Sequence, residues 1–348
     1  MNTKAFGAHA AQENLTQMDI QRRSVGCNDI EIDILFCGIC HSDIHQARNE
    51  WRNTFYPCIP GHEIVGKVIQ VGCDVKGFKI GDNVGVGCMI DSCQTCANCS
   101  NNEEQYCVNG ATFTYNSIDK FVGGRTYGGY SEKIVVREEF VLRIPDSLPL
   151  EKAAPLLCAG ITTYSPLRRW KISKGHKIGI IGLGGLGHVA VKIAAALGAE
   201  VIVFTQSKSK IDEAISFGAH KVVVTSENGW EKEMKHSLDF ILSTVSAQYN
   251  LDTYISLLKL DGIFIVVGVP EEPLKISPIN VIAPRRIFTG SVIGGIKETQ
   301  EMLDFCALHQ ITPEIEMINI NQVNEAYTRI INSDVKYRFV IDMATLKN

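Results

Sequence analysis

Four cysteines, Cys93, Cys96, Cys99 and Cys107, stand within fifteen residues in the run SCQTCANCSNNEEQYC, spaced C-x2-C-x2-C-x7-C. Four thiolates this close match one tetrahedral zinc ion with no position left open. Such a knot makes the segment 88–110 fold as a lobe around a single point. A closed site binds no substrate, so any chemistry lies elsewhere in the chain. A disulfide framework is one competing reading, but it needs an oxidising compartment, and the first residues show no apolar secretory signal. An iron–sulfur cluster is another, but the run C-x2-C-x2-C-x3-C-P is absent. The other cysteines are scattered and read mostly as small buried hydrophobes.

A chain of 348 residues suggests about two domains. The net charge of −4 offers neither a nucleic-acid patch nor a polybasic membrane signal. No stretch approaches the roughly 18 apolar residues that span a bilayer. The expected compartment is the cytoplasm.

The texture changes along the chain. Residues 1 to about 150 read as short strands between glycine-rich turns; in IEIDILF, Ile30, Ile32 and Ile34 share one face. From about 155 strands alternate with helices: KIGII, then GLGGLGHVAVKIAAALGA, then EVIVF, then KSKIDEAISFGA. This alternation predicts a doubly wound parallel sheet, and the fold class is α/β. The last fifty residues hold two helical stretches and the strand YRFVIDM, and they are expected to return to the first domain.

Gly182, Gly184 and Gly187 form a G-x-G-x-x-G turn between a strand and an alanine-rich helix, the context that gives this short motif meaning. The first glycine permits the tight turn, the second admits a pyrophosphate, and the third lets helix and strand pack. With Gly185 and Leu186 they open a helix N-terminus toward the anion. An NAD-binding unit places Asp or Glu about 20 residues further on. Here Thr205, Gln206 and Ser207 occupy that place, with Lys208 and Lys210 just beyond. Hydroxyl, amide and ammonium groups welcome a 2′-phosphate, so the expected cofactor is NADP. A permissive NAD/NADP site is the alternative.

A second metal set is spread over distant pieces: Cys40 in CGICHSDIH, His62 and Glu63 in PGHEIVG, and Cys158 in PLLCAGIT. Two thiolates and an imidazole make a three-ligand zinc set with a fourth position free.

These motifs together resemble the zinc-dependent medium-chain alcohol dehydrogenase family along the whole chain. CGICHSD, PGHEIVG with Gly66 and Gly72, the cysteine lobe, APLLCAGITTYSPL and GLGGLGH resemble its cinnamyl alcohol dehydrogenase branch, and most closely the microbial broad-specificity NADP-dependent aldehyde reductases. The resemblance implies a GroES-like catalytic domain over 1–156 and 294–348, and a Rossmann NADP-binding domain over 157–293 with an active-site cleft between the two. It also implies a homodimer and two zinc ions per chain.

Carried over by motif, Cys40, His62 and Cys158 would bind catalytic zinc, and Glu63 would approach the metal and assist ligand exchange. Asp43 would orient the His62 ring. Ser42 would contact the substrate oxygen, and His45 would pass the proton outward. His41 would lie near the pyrophosphate and Thr162 beside the nicotinamide, flanked by Val267, Gly268, Val269, Ser291, Val292 and Ile293. Trp51, Phe113 and Ile293 would line the substrate pocket. Plant members carry a tryptophan near the place of Phe113, which favours a general reductase of aliphatic and aromatic aldehydes over a cinnamyl-specific enzyme. An NADPH-binding protein without catalysis and a zinc-free quinone reductase of the same superfamily are the other classes. Intact Cys40, His62 and Cys158 count against both.

Overall fold

Strand Asp29–Gly38 is the spine of the N-terminal half. Its ten residues are nearly all removed from water, with Ile30, Ile32 and Ile34 fully buried. The period-2 pattern turns these isoleucines to one face. The structure, a computed structural model, describes residues 1–120, 123–270 and 272–347. A seven-stranded sheet runs in the order Ile315–Asn319, Arg338–Asp342, Asp29–Gly38, Ile64–Val71, Asn83–Val86, Leu142–Arg143, with Lys133–Arg137 also paired to Asp29–Gly38. Asp29–Gly38 and Ile64–Val71 are antiparallel, Ile30 facing Val71 and Cys37 facing Ile64.

The cysteine lobe leaves this sheet through a small ribbon, Met89–Asp91 against Thr112–Phe113. It contains only one short helix, Ala97–Ser100, and one 3-10 turn, Glu104–Tyr106. Two contacts fasten it. Arg137 pairs with Asp91 at 3.0 Å, and the backbone N–H of Ile296 donates to Glu104 at 3.1 Å. The returning C-terminal segment adds helices Ile296–Leu308 and Val323–Ile331 and two strands to this unit. The strand Ile315–Asn319 lies on the sheet edge and was not read from the sequence, because its alternate residues are half exposed and give no strong apolar pattern.

The second unit is a six-stranded parallel sheet in the order Lys221–Val224, Glu200–Thr205, Lys177–Ile181, Leu238–Ser243, Leu258–Val266, Ile287–Gly290. The strand order reverses between Lys177–Ile181 and Leu238–Ser243. At such a switch point the carboxyl ends open a crevice for a ligand. Beneath it, Phe204, Leu238, Ile241, Tyr254, Leu258 and Phe264 close one core cluster. Each fully buried aromatic there contributes about 1.5–3 kcal/mol over exposure.

The chain divides into the units Met1–Ile161 with Gly294–Asn348, and Thr162–Ile293. The first boundary falls a few residues beyond the expected 156/157, which puts Cys158 in the same unit as Cys40 and His62. No helix among the described residues is long and apolar enough to cross a membrane.

Candidate active site

Cys40 caps the helix His41–Ala47 in extended conformation, and its backbone N–H donates to Asp43 at 2.8 Å. Asp43 is fully buried, and its other oxygen accepts from the Gly61 backbone and from His62 Nδ1, each at 3.0 Å. One carboxylate thereby holds the Cys40 and His62 segments together. With Nδ1 engaged, the imidazole is left to act through Nε2. Burial lowers the His62 pKa, but the Asp43 charge and neighbouring thiols outweigh it and raise it well above the ordinary value.

The ligand atoms of Cys40, His62, Glu63 and Cys158 all lie within 4.8 Å of one another, and all four residues are buried. The two sulfurs are 3.9 Å apart. Two thiolates about 2.3 Å from a tetrahedral zinc stand about 3.8 Å apart, so the spacing fits the ion. The hydrogen bond between the two thiols is the largest influence on each, drawing the Cys40 pKa well below the ordinary range and pushing that of Cys158 up.

Glu63 is tied to a residue the motifs did not reveal. Arg338, itself buried, donates to Glu63 Oε1, while Glu63 Oε2 is buried without a hydrogen-bond partner. Burial raises the Glu63 carboxyl to about 7, against the pull of Arg338. The orphaned oxygen suits an acceptor that turns toward a metal. A Cβ on Gly38 would stand 2.0 Å from it, so only glycine leaves it room. An arginine within the buried strand Arg338–Asp342 was the available signal, since a buried charge is seldom left unpaired.

Ser42 and His45 lie three residues apart on the helix His41–Ala47. His45 Nδ1 meets the Glu50 carboxylate, and its ring lies 4.7 Å from His41 and 5.3 Å from Trp51. Glu50, another residue outside the motifs, thus fixes the orientation of His45. Burial chiefly, with His45, lowers the His41 pKa. Trp51 and Phe113 are each 44% exposed, so neither is core. The Tyr115 ring, 5.6 Å from His62, was not anticipated.

In the lobe, the four sulfurs also lie within 4.8 Å of one another, Cys93 to Cys99 at 3.9 Å and Cys96 to Cys99 at 3.4 Å. Gln94 adopts φ +55°, turning the backbone between Cys93 and Cys96. The backbone of Thr95 first, then the Asn109 side chain and the Cys96 backbone, donate to Cys93 and bring its pKa down to about 5. A thiolate stabilised in this way fits a closed zinc site.

At the glycine turn the three roles separate. Gly182 has φ +90°. A Cβ on Gly187 would come within 2.0 Å of Gly182 O, while one on Gly184 would meet nothing within 4 Å, leaving open space where a phosphate could approach. Thr205 closes the adjacent strand with no carboxylate, its Oγ1 accepting from Ser207 N at 3.3 Å. Gln206 is exposed, and Ser207 contacts Ser209 at 2.7 Å. Lys210 Nζ donates to Leu183 O at 2.9 Å and so reaches the turn, whereas Lys208 pairs with Glu227 at 2.7 Å. Gly185 and Leu186 precede the helix Gly187–Ala196. Val267 and Gly268 both donate to Ser243 O, and Ser291 donates to Val266 O. Val269, Val292 and Ile293 follow on these same carboxyl ends, Ile293 with φ +39°, an unusual backbone for a β-branched residue. Thr162 is buried in the helix Ala159–Arg169.

Residues 26–146 match the alcohol dehydrogenase GroES-like domain, and residues 185–307 match the zinc-binding dehydrogenase domain. The chain belongs to the zinc-dependent medium-chain alcohol dehydrogenase family. It is 54% identical over 345 residues to NADP-dependent alcohol dehydrogenase C 1 of Mycolicibacterium smegmatis, covering 99% of both chains. It is 53% identical over 349 residues to aldehyde reductase YahK of Escherichia coli, again covering 99% of both. Among solved structures, a cinnamyl alcohol dehydrogenase of Sorghum bicolor superposes with TM-score 0.96 at 43% identity, covering 99% of this chain and 98% of that one. The Helicobacter pylori enzyme complexed with NADP(H) superposes with TM-score 0.93 at 46% identity, covering 99% of both.

Proposed function

We propose that this protein is a zinc-dependent alcohol dehydrogenase that uses NADP(H) and serves as a reductase of aliphatic and aromatic aldehydes. The observation that carries the reading is the convergence of Cys40, His62 and Cys158, three donors in tetrahedral spacing with Glu63 held beside them by Arg338. Those three residues would hold one zinc ion, and Cys93, Cys96, Cys99 and Cys107 a second. Gly182, Gly184, Gly187, Thr205, Gln206, Ser207 and Lys210 would hold the cofactor phosphates. When bound, zinc supplies Lewis acidity toward the carbonyl or hydroxyl oxygen, and NADPH supplies the hydride.

The chain's own residues position the reactants and move the proton. Asp43 keeps the His62 ring in one tautomer, and Arg338 offsets the charge of Glu63. Ser42 passes a proton to or from the substrate oxygen, and His45, braced by Glu50, relays it to solvent. Glu50→Gln is expected to lower kcat by roughly threefold to tenfold, a small part of what acid–base help supplies, and to change its pH profile while zinc content stays the same. An unaltered profile would remove Glu50 from the relay.

Initial rates of benzaldehyde reduction with NADPH and NADH test the assignment. Fast turnover with NADPH and little with NADH supports it. Equal rates keep the reaction and reject the NADP preference; no turnover with either rejects the broad substrate range. Lys210→Ala is expected to raise the KM for NADPH by about tenfold or more, the worth of one charge-assisted hydrogen bond, and to leave that for NADH nearly unchanged. Equal effects on the two cofactors would move the 2′-phosphate elsewhere.

The expected homodimer would form through the strand Ile287–Gly290. It is the outer strand of its sheet, and Ile287 and Phe288 on it are exposed, as are Ile279 and Ile282 on the preceding short helix. An unprotected apolar edge invites pairing with its own copy in a two-fold contact. Light scattering should return twice the 38.4 kDa chain mass; a monomer would refute the dimer. The assigned compartment is the cytoplasm, where the cysteines of the two proposed zinc sites stay reduced.

A further inference from the structure

Apart from the two zinc clusters, one group of metal- or redox-competent side chains stands out among the described residues. The ligand atoms of Cys27, Cys73 and Asp74 lie within 4.8 Å of one another, and all three residues are exposed. Both cysteines are free thiols.

The backbone holds them together. Cys27 stands two residues before the strand Asp29–Gly38, and Cys73 two residues after Ile64–Val71, whose pairing brings Ile30 opposite Val71. Beyond that pair, Gly72 N donates to Asp29 O at 2.8 Å and Asp74 N to Cys27 O at 2.9 Å. A Cβ on Gly72 would come within 2.1 Å of Gly26 O and 2.3 Å of Cys27 O, so glycine there lets the two loops close on each other. The thiols are therefore presented side by side on a stiff frame. Cys40 and His62 lie beyond the opposite end of the same strand pair, roughly 24 Å away at about 3.4 Å per residue.

We propose that Cys27 and Cys73 form a reversible disulfide that staples the outer end of this strand pair, with a low-molecular-weight disulfide as oxidant. Loss of one thiol proton gives a thiolate that attacks the small disulfide. One half of it leaves as a thiol, and a mixed disulfide remains on the protein. The second cysteine loses its proton, attacks the protein-bound sulfur and releases the other half as a thiol. The two protein thiols are oxidised by two electrons, one small disulfide is reduced, and both protons end on the released thiols.

The geometry favours this chemistry over a third metal site: three exposed donors meet here, against four in each of the other two clusters. The hydrogen bond with Cys73 first, then the charge of Cys73, burial and the charge of Asp74, raise the Cys27 pKa.

The zinc-loaded, full-length enzyme would be incubated with hydroxyethyl disulfide at mildly alkaline pH. Its remaining thiols would be alkylated, and the unreduced digest examined by mass spectrometry. The expected product is the Cys27 peptide joined to the Cys73 peptide, two hydrogens lighter than the reduced pair. In Cys27→Ser and Cys73→Ser the surviving cysteine should retain one hydroxyethyl adduct, with turnover and zinc content unchanged. The oxidised wild type should melt a few degrees higher, revert with dithiothreitol, and show no such rise in either variant. Separate adducts on both cysteines without a cross-link would overturn the proposal, as would no reaction at either. Loss of one metal ion per chain in Cys27→Ser would replace it with a metal site. None of these readouts depends on which aldehyde the enzyme reduces.

Discussion

Cys158→Ser is expected to lower kcat/KM by roughly a thousandfold, about 4 kcal/mol of transition-state stabilisation, and to remove the zinc ion of the proposed catalytic site. A serine hydroxyl stays protonated near neutral pH and is a poor zinc ligand. The site would be left with one thiolate and one imidazole, Cys40 would lose the sulfur that stands 3.9 Å away, and His62 would keep its bond to Asp43. The local backbone has no reason to unfold, since Cys158 is held by its neighbours in a tightly buried turn and the change is nearly isosteric. Metal analysis, far-ultraviolet circular dichroism and turnover on one preparation check all three parts. Near-wild-type turnover with zinc retained would remove Cys158 from the ligand set.

Cys99→Ser should give the opposite pattern, a loss of stability with modest direct effect on chemistry. The lobe has little core of its own: one four-residue helix, one 3-10 turn and a short ribbon. Structural zinc contributes folding free energy outright in such a segment. Breaking one of four thiolate bonds is expected to cost on the order of 3 kcal/mol locally, seen as a fall of several degrees in the first thermal transition and as faster proteolysis within 88–110. Chelation of the wild type should reproduce that fall. If the variant lost turnover while its melting curve was unchanged, the division between a structural and a catalytic ion would be wrong.

Much of the fold is legible in local pattern because each signal there has a short-range cause. Alternation at Ile30, Ile32 and Ile34 follows from the two-residue period of a strand. The turn from Gly182 to Gly187 follows from a positive φ at its first glycine and from a backbone approach at its last that no side chain permits. The cysteine lobe is a matter of spacing alone. The strand Ile315–Asn319 escaped detection because an edge strand buries too little to leave an apolar pattern. Lys208 and Lys210 look equivalent along the chain, yet only Lys210 reaches the turn, while Lys208 turns to Glu227.

What the sequence determined by itself is the set of chemical groups and their family pattern: four closely spaced cysteines in a lobe, a glycine turn without an acidic residue after the next strand, and three separated motifs carrying thiol, imidazole and carboxylate. What only the tertiary structure decided is which distant groups complete the site. Arg338, far along the chain, closes on Glu63, and Cys27 comes to face Cys73 across two loops. Neither local propensity nor spacing records such pairs, because each depends on two strands or loops brought together by packing of side chains elsewhere in the chain.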